Sequence, residues 1–415
     1  MKVAIIGSGI SGLVCAHRLH RRHEVHVFER NDWIGGHTHT VDVPLEGTTY
    51  SVDTGFIVYN ERNYPHFSAL LDELGVETQP TRMTFGFRSE RTGLEYSGSS
   101  LSGLFAQRSN LVRPRFWSML SEILRFFREA KALLASSQPE LSLGEFLDAH
   151  GFGRDFQQEH LLPMGAAIWS CPPDQMRAFP AESFARFFAN HGLLSLRDRP
   201  QWRVVSGGSA RYVEKLTRPF LDRIRLGTPV ERVVRDEERA ELTFGDGSVE
   251  TFDAVVFACH SDEALGMLAD ASPLEKDVLG AIRYQPNDVV LHTDAKLLPR
   301  HAAARSAWNY HVPNDPTEAA TVTYDMNRLQ GIEAPVDFLV TLNSSEEIDP
   351  EKVIGRYAYA HPVFDHGAIR VQRHQDGLGA ERRSAFCGAY WGFGFHEDGV
   401  RSGLVAAEQI ERLGA

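Results

Sequence analysis

Gly7, Gly9 and Gly12 constrain this chain more than any other residues in it. They form G-x-G-x-x-G directly after the apolar, β-branched run 2–6, which suits a buried parallel strand. The first glycine permits a tight turn, the second lets backbone come close to a pyrophosphate, and the third lets a helix pack against the strand. The spacing predicts that helix over residues 11–21, with its free N–H groups aimed at the pyrophosphate. A second strand, 24–28, ends at Glu29, about twenty residues beyond the glycines, where a carboxylate accepts from ribose hydroxyls. A ligand-free glycine turn explains neither the placement of Glu29 nor the Gly35-Gly36 pair that follows it. The expected fold class is α/β, built on a Rossmann-like dinucleotide-binding domain.

The glycine pair narrows the dinucleotide. Glu29, a short gap, Gly35-Gly36 and then a basic residue, His37, resemble the FAD-binding superfamily of flavin amine oxidases and phytoene-type desaturases. The resemblance implies a GR2-type FAD domain and a noncovalent FAD. It carries Ile10 and Ser11 into the cofactor site beside Gly7, Gly9 and Gly12. The family's arginine after the pair is His37 here, and histidine is only partly charged at neutral pH. Thr38, His39 and Arg30 are therefore open as alternatives for the pyrophosphate contact. The family also has an Asp-x-Gly near the flavin, matched by Asp53-Thr54-Gly55, with Phe56 next to it. Asp53 has a second reading as the cap of the following turn.

Composition sets outer limits. At 415 residues the chain fits two interleaved domains. A net charge of −12 argues against general nucleic-acid binding. Four scattered cysteines show no metal spacing and read as reduced, mostly buried thiols of a cytoplasmic protein. The sequence opens in a core strand, so no signal peptide is expected, and no apolar run approaches the ~20 residues of a membrane span. Residues 1–82, 202–285 and 375–415 are expected to form the FAD domain. Residues 83–201 and 286–374 are expected to form an α+β substrate or cap domain.

Within the first insert, 115–134 carries Phe116, Leu120, Ile123, Leu124, Phe127, Ala130 and Leu134 at helical spacing, surrounded by Arg108, Arg113, Arg115, Arg125, Arg128 and Lys131. Two readings stay open. Either residues 105–134 contact an anionic membrane, peripherally on its inner face, or the helix packs as part of a cap. The apolar, small-residue run around Trp169 suits a substrate cavity or plain core. Farther on, 202–206 and Gly207-Gly208-Ser209 resemble the turn by which the superfamily re-enters its FAD domain. There Val230 matches the residue that meets adenine through its backbone. Strands are expected over 289–293, 320–325 and 338–342. Amine oxidases often carry a lysine near the start of the first of these; here Asn287-Asp288 stands there.

The C-terminal segment, with Gly388, Gly392, Gly394, Asp398, Gly399 and Gly403, resembles the superfamily's terminal signature. It implies a helix from about residue 399, with Asp398, Gly399 and Val400 at the flavin, whose positive end favours negative charge on a reduced ring. His396 falls where amine oxidases often have a tyrosine. An imidazole titrates near neutral pH, so His396 is the candidate base. Trp169, Tyr390, Trp391 and Phe395 are candidates for a dry substrate pocket. The expectation is an FAD-dependent oxidoreductase that removes hydride from a long-chain unsaturated acyl group, by desaturation or double-bond isomerisation. An amine oxidase producing hydrogen peroxide is the alternative, and a flavin-bearing protein with a noncatalytic binding role is the third.

Overall fold

The computed structural model describes residues 1–136, 141–197, 199–314 and 321–414. At its centre is a five-stranded parallel sheet. Its strands are β1 (Lys2–Ile6), β2 (Glu24–Phe28), β3 (Ile224–Arg225), β4 (Ala254–Phe257) and β5 (Ser384–Phe386). They lie in the order β3-β2-β1-β4-β5, the arrangement of a dinucleotide-binding α/β sheet. The apolar run of β1 is buried on both faces, as a central parallel strand requires. Helix α1 (Ile10–Leu19) follows the glycine turn. It ends sooner than the expected residue 21, with His20 as its cap.

A three-stranded meander, Val230–Arg235, Ala240–Phe244 and Val249–Phe252, packs over the other side of this sheet. A second, mostly antiparallel sheet has seven strands. From one edge they are Val353–Val363, Arg283–His292, Leu339–Leu342, Thr321–Asp325, Trp308–Val312, Phe85–Ser89 and Glu95–Ser97. Only Trp308–Val312 and Phe85–Ser89 run parallel. Of the expected strand 320–325, residue 320 lies outside the described residues. All four cysteines are free. No helix among the described residues is long and apolar enough to cross a membrane.

Helix α2 (Pro114–Leu134) forms where the helical spacing predicts it. Of the expected stripe, Phe116 and Ala130 are buried, Leu120, Ile123, Phe127 and Leu134 are half-buried and Leu124 is exposed, while Met119, Phe126 and Leu133 are buried beside them. The Phe126 ring lies 5.8 Å from Phe152 and 6.3 Å from Phe184 of the helix Ala181–Asn190. The flanking cations are engaged as well. Arg125 donates to Glu122 and to the carbonyls of His150 and Gly151, and lies 4.1 Å over the Phe152 ring. Arg128 pairs with Glu129. These buried side chains belong to the core, because Phe152, from the loop before residue 154, and Phe184 of the neighbouring helix take them out of water.

The C-terminal helix, α3 (His396–Leu413), begins a turn earlier than expected. The Asp398 carboxylate reaches back and accepts the N–H groups of Phe393 and Phe395, which draws His396 and Glu397 into the first turn. Helices α1 and α3 cross in contact through glycine. A Cβ placed on Gly403 would stand 2.4 Å from the Ser11 carbonyl oxygen, and one on Gly399 would stand 2.7 Å from the Ile10 side chain. Only glycine permits that approach.

Candidate cofactor and active site

Three backbone segments converge at the carboxyl edge of the five-stranded sheet. The β1–α1 turn supplies the first. The second is the Gly35-Gly36 turn, whose residues sit at φ +122° and +58°. Gly35 pairs with Gly9, and a Cβ on Gly36 would stand 3.1 Å from the Gly9 Cα. The third is the start of α3, held there by Gly399 and Gly403. Two long-range helix N-termini therefore aim their free N–H groups at one place.

Glu29 lies buried at the end of β2. Its Oε2 accepts from the Ser8 N–H at 3.0 Å and the Ser8 hydroxyl at 2.7 Å, and its Oε1 accepts from the Asn31 N–H at 2.9 Å. Arg30 turns away, and its guanidinium pairs with Glu263 at 2.7 Å. Val230 opens the meander, its side chain in the core. The Gly388 N–H donates to the Ser402 hydroxyl, which ties the end of β5 to α3.

His37 is enclosed by rings: Tyr359 at 4.9 Å, His361 at 5.4 Å and His260 at 6.1 Å. Burial, assisted by the neighbouring His260, pushes its imidazole down to about 4, so it is neutral at pH 7. Its Nε2 is buried without a partner, as is the Ser261 hydroxyl just past β4. A Cβ on Gly9 would meet no atom within 4 Å. Orphaned buried polar atoms beside an open backbone cradle fit a bound dinucleotide, whose ribityl hydroxyls would donate and whose phosphate oxygens would accept.

Thr38 and His39 reach different partners. Thr38 Oγ1 lies 2.6 Å from the Tyr212 hydroxyl, which lies 2.7 Å from His396 Nε2. His39 Nδ1 contacts the Thr54 and Tyr359 hydroxyls at 3.0 and 3.1 Å. Gly55 crosses the His37 carbonyl so closely that a Cβ would stand 2.1 Å from it. The Phe56 ring stacks on His396 at 3.7 Å. Asp53 is a buried hub instead of a cap. It accepts from Thr40, from the Ser209 N–H and hydroxyl, and from Gln330. It thereby ties the hairpin Thr40–Asp53 to the Gly207-Gly208 turn and to the second sheet.

Burial pushes His396 down to about 3, with His37 adding to the shift, because the first turn of α3 packs against Phe56, Phe67 and Tyr212. The four expected pocket residues separate. Trp169 and Phe395 meet at 6.4 Å. Tyr390 and Trp391 are buried in the core between the five-stranded sheet and the meander. The turn at Gly392 sends residues on its two sides in opposite directions.

Trp169 and Phe395 pack against further rings. Phe187 lies 4.8 Å from Trp169 and stacks on Phe395 at 4.9 Å. His191 stacks on Phe187 at 3.9 Å and faces Trp202 at 6.2 Å. Together they form an aromatic wall that ends where α3 begins. Burial pushes His191 down to about 4, so the whole wall is uncharged at neutral pH. Helical spacing in 181–190 was visible, but which chain segment it would face was not.

These imidazoles make a prediction. His37, His191 and His260 are held near 4, and His361 and His396 near 3, all chiefly by burial. The unfolded chain titrates them near 6.5. As pH falls below about 6.5, only the unfolded chain takes up these protons, so stability present above 6.5 is lost toward 4. Asp53, pushed up to about 6 by burial, acts in the opposite sense between about 4 and 6, as do Glu159, Asp325 and Asp398, which burial also raises; His160 and His292, held near 4, add to the imidazole side. The urea midpoint of the apoprotein should fall between pH 7.5 and pH 5. A flat profile would mean that water reaches the imidazoles.

The sequence and structure were compared with known proteins. The family model of flavin-containing amine oxidoreductases matches residues 10–323. A 1-hydroxycarotenoid 3,4-desaturase from Flavobacterium sp. (strain P99-3) is 36% identical over 96 residues, which is 23% of this chain and 18% of that protein. Among solved structures, a putrescine oxidase bound to putrescine superposes with a TM-score of 0.71 at 17% identity, covering 99% of both chains. A CLA-producing fatty acid isomerase from P. acnes superposes with a TM-score of 0.67 at 16% identity, covering 99% of this chain and 98% of its own. At such identities the structural likeness speaks to the fold.

Proposed function

Because the chain belongs to the flavin-containing amine oxidoreductase family, and is thus an FAD-dependent oxidoreductase, we propose that it acts on a long-chain unsaturated acyl group. The observation that carries this is the uncharged aromatic wall of Trp169, Phe187, His191, Trp202 and Phe395 beside the start of α3. The wall brings no counter-charge for an alkylammonium, although its aromatic faces can also hold a cation, which is why amines are the competing class in the test below. A flexible apolar chain needs only dry surface. Asn287, which stands where amine oxidases often carry lysine, is buried and spent on Asn343 and the Gln285 carbonyl. The desaturase and isomerase likenesses agree with an acyl or polyene substrate without deciding it.

In this reading the cradle of Gly9, Gly35 and Gly36 holds the pyrophosphate, and Glu29 accepts from the adenosine ribose. Bound FAD supplies a two-electron acceptor for hydride. The N-terminus of α3 places partial positive charge where the reduced ring gathers electrons. The aromatic wall excludes water from the reacting carbon. His396 holds position and does not remove protons. Its Nε2 shares a hydrogen bond with the Tyr212 hydroxyl at 2.7 Å, and a group that protonates only near 3 is a weak base at pH 7.

The test is anaerobic stopped-flow at the flavin absorbance maximum, with an unsaturated C18 fatty acid run beside a panel of primary amines. The fatty acid should bleach the flavin and the amines should not. Bleaching by amines alone overturns the acyl reading in favour of an amine oxidase. His396→Ala should bind FAD and slow bleaching by less than about tenfold. A loss of 100-fold or more would restore proton transfer to His396.

A further inference from the structure

We infer that the segment Leu101–Trp117 docks on an anionic lipid bilayer. Large apolar side chains are exposed along it. Leu101 is 78% exposed, Val112 82%, Leu111 51% and Trp117 49%. They come from the short helix Leu101–Leu104, the 3-10 turn Arg108–Val112 and the first turn of α2. The three pieces are held together. The Trp117 indole N–H donates to the Leu111 carbonyl at 3.0 Å, and the Trp117 ring lies 5.6 Å from Phe105. The α2 side chain one heptad on, Leu124, is exposed too, 54%. Trp117 has its only polar atom satisfied and half its ring in water, which suits the boundary between headgroups and acyl chains.

Charge selects the partner. The chain carries −12 overall, yet residues 96–121 hold three arginines and no acidic residue. Arg115 is paired with Asp155, while Arg108 and Arg113 stand exposed on either side of the Leu111-Val112 pair. A second copy seated symmetrically would set these arginines against their own kind. An anionic bilayer offers both the apolar interior for Leu101, Leu111, Val112 and Trp117 and the counter-charge for Arg108 and Arg113. The surface differs from the stripe of α2, which is core. It stands independently of the acyl substrate proposed above.

The experiment is flotation of the FAD-loaded protein with vesicles of phosphatidylcholine alone and with phosphatidylglycerol added, at low salt. Binding should require the anionic lipid. Each basic side chain near such a surface is worth about 1 kcal/mol, or about fivefold, so R108Q with R113Q should weaken binding by roughly 25-fold. Val112→Glu should weaken it at least tenfold, while Val249→Glu, an exposed site on the meander, should leave it unchanged. Flavin content reports that each variant is folded. Absence of binding to either vesicle overturns the inference, as does binding that Val112→Glu leaves intact. A dimer that Val112→Glu dissociates, without vesicle binding, would assign the patch to a second copy. The readout is bound mass, so it can fail while the fatty acid still bleaches the flavin, and the reverse.

Discussion

Glu29→Ala should leave the purified protein largely colourless. Three of the roughly four acceptor positions of this buried carboxylate are filled by Ser8 and Asn31, and the remaining one lies on Oε1. A ribose hydroxyl donating there makes a charge-assisted hydrogen bond worth about 1.5–3 kcal/mol, so its loss alone weakens FAD roughly 10- to 100-fold. Removal of the carboxylate also leaves the Ser8 N–H without its acceptor, which loosens the glycine turn that must meet the pyrophosphate. Equilibrium dialysis of the apoprotein with FAD measures the affinity, and far-ultraviolet circular dichroism shows that the fold survives. Full flavin content in Glu29→Ala would remove the residue from the site. Glu29→Gln should fall between the two, since an amide can accept on one side but presents N–H to the other.

Gly403→Ala should damage stability and cofactor binding together. In an exposed helix this change stabilises by about 1 kcal/mol. Here the added methyl would stand 2.4 Å from the Ser11 carbonyl oxygen and 3.2 Å from its carbonyl carbon, and backbone cannot step aside as a side chain can. Overpacking of this kind costs about 1–3 kcal/mol. Relief comes only by moving α3 away from α1, which separates the two helix N-termini that face the cofactor. The expected result is a lower urea midpoint and FAD affinity reduced at least tenfold. Gly266→Ala is the matched control. Gly266 lies in the helix Ser261–Met267, where an added Cβ meets nothing within 4 Å, so that variant should be as stable as the parent or more so. Equal stability of Gly403→Ala and the parent would mean that the helices pack with slack.

The nucleotide half of this protein was legible in its sequence because its determinants are local. The strand of residues 2–6, the glycine turn, α1, β2 and Glu29 follow one another along the chain, and each is set by backbone conformation or side-chain alternation over a few residues. The same holds for the hairpin around Glu46-Gly47 and for the Gly207-Gly208 turn, whose glycines sit at φ +77° and +97°. Family membership and FAD follow from that register. Tertiary structure alone decided the surroundings of the reactive side chains, because those surroundings come from distant segments. Tyr212 joins Thr38 and His396 across 174 and 184 residues of sequence. Residue type said that His396 titrates near neutrality; the Phe56 and Phe67 rings, delivered from the other end of the chain, pack on it and push its pKa down. Helical spacing in Pro114–Leu134 correctly marked an amphipathic helix, but a periodic stripe is equally suited to lipid and to phenylalanine. Its neighbours decided for the core, and they left the exposed apolar surface on the turn before it, where no periodicity exists to be read.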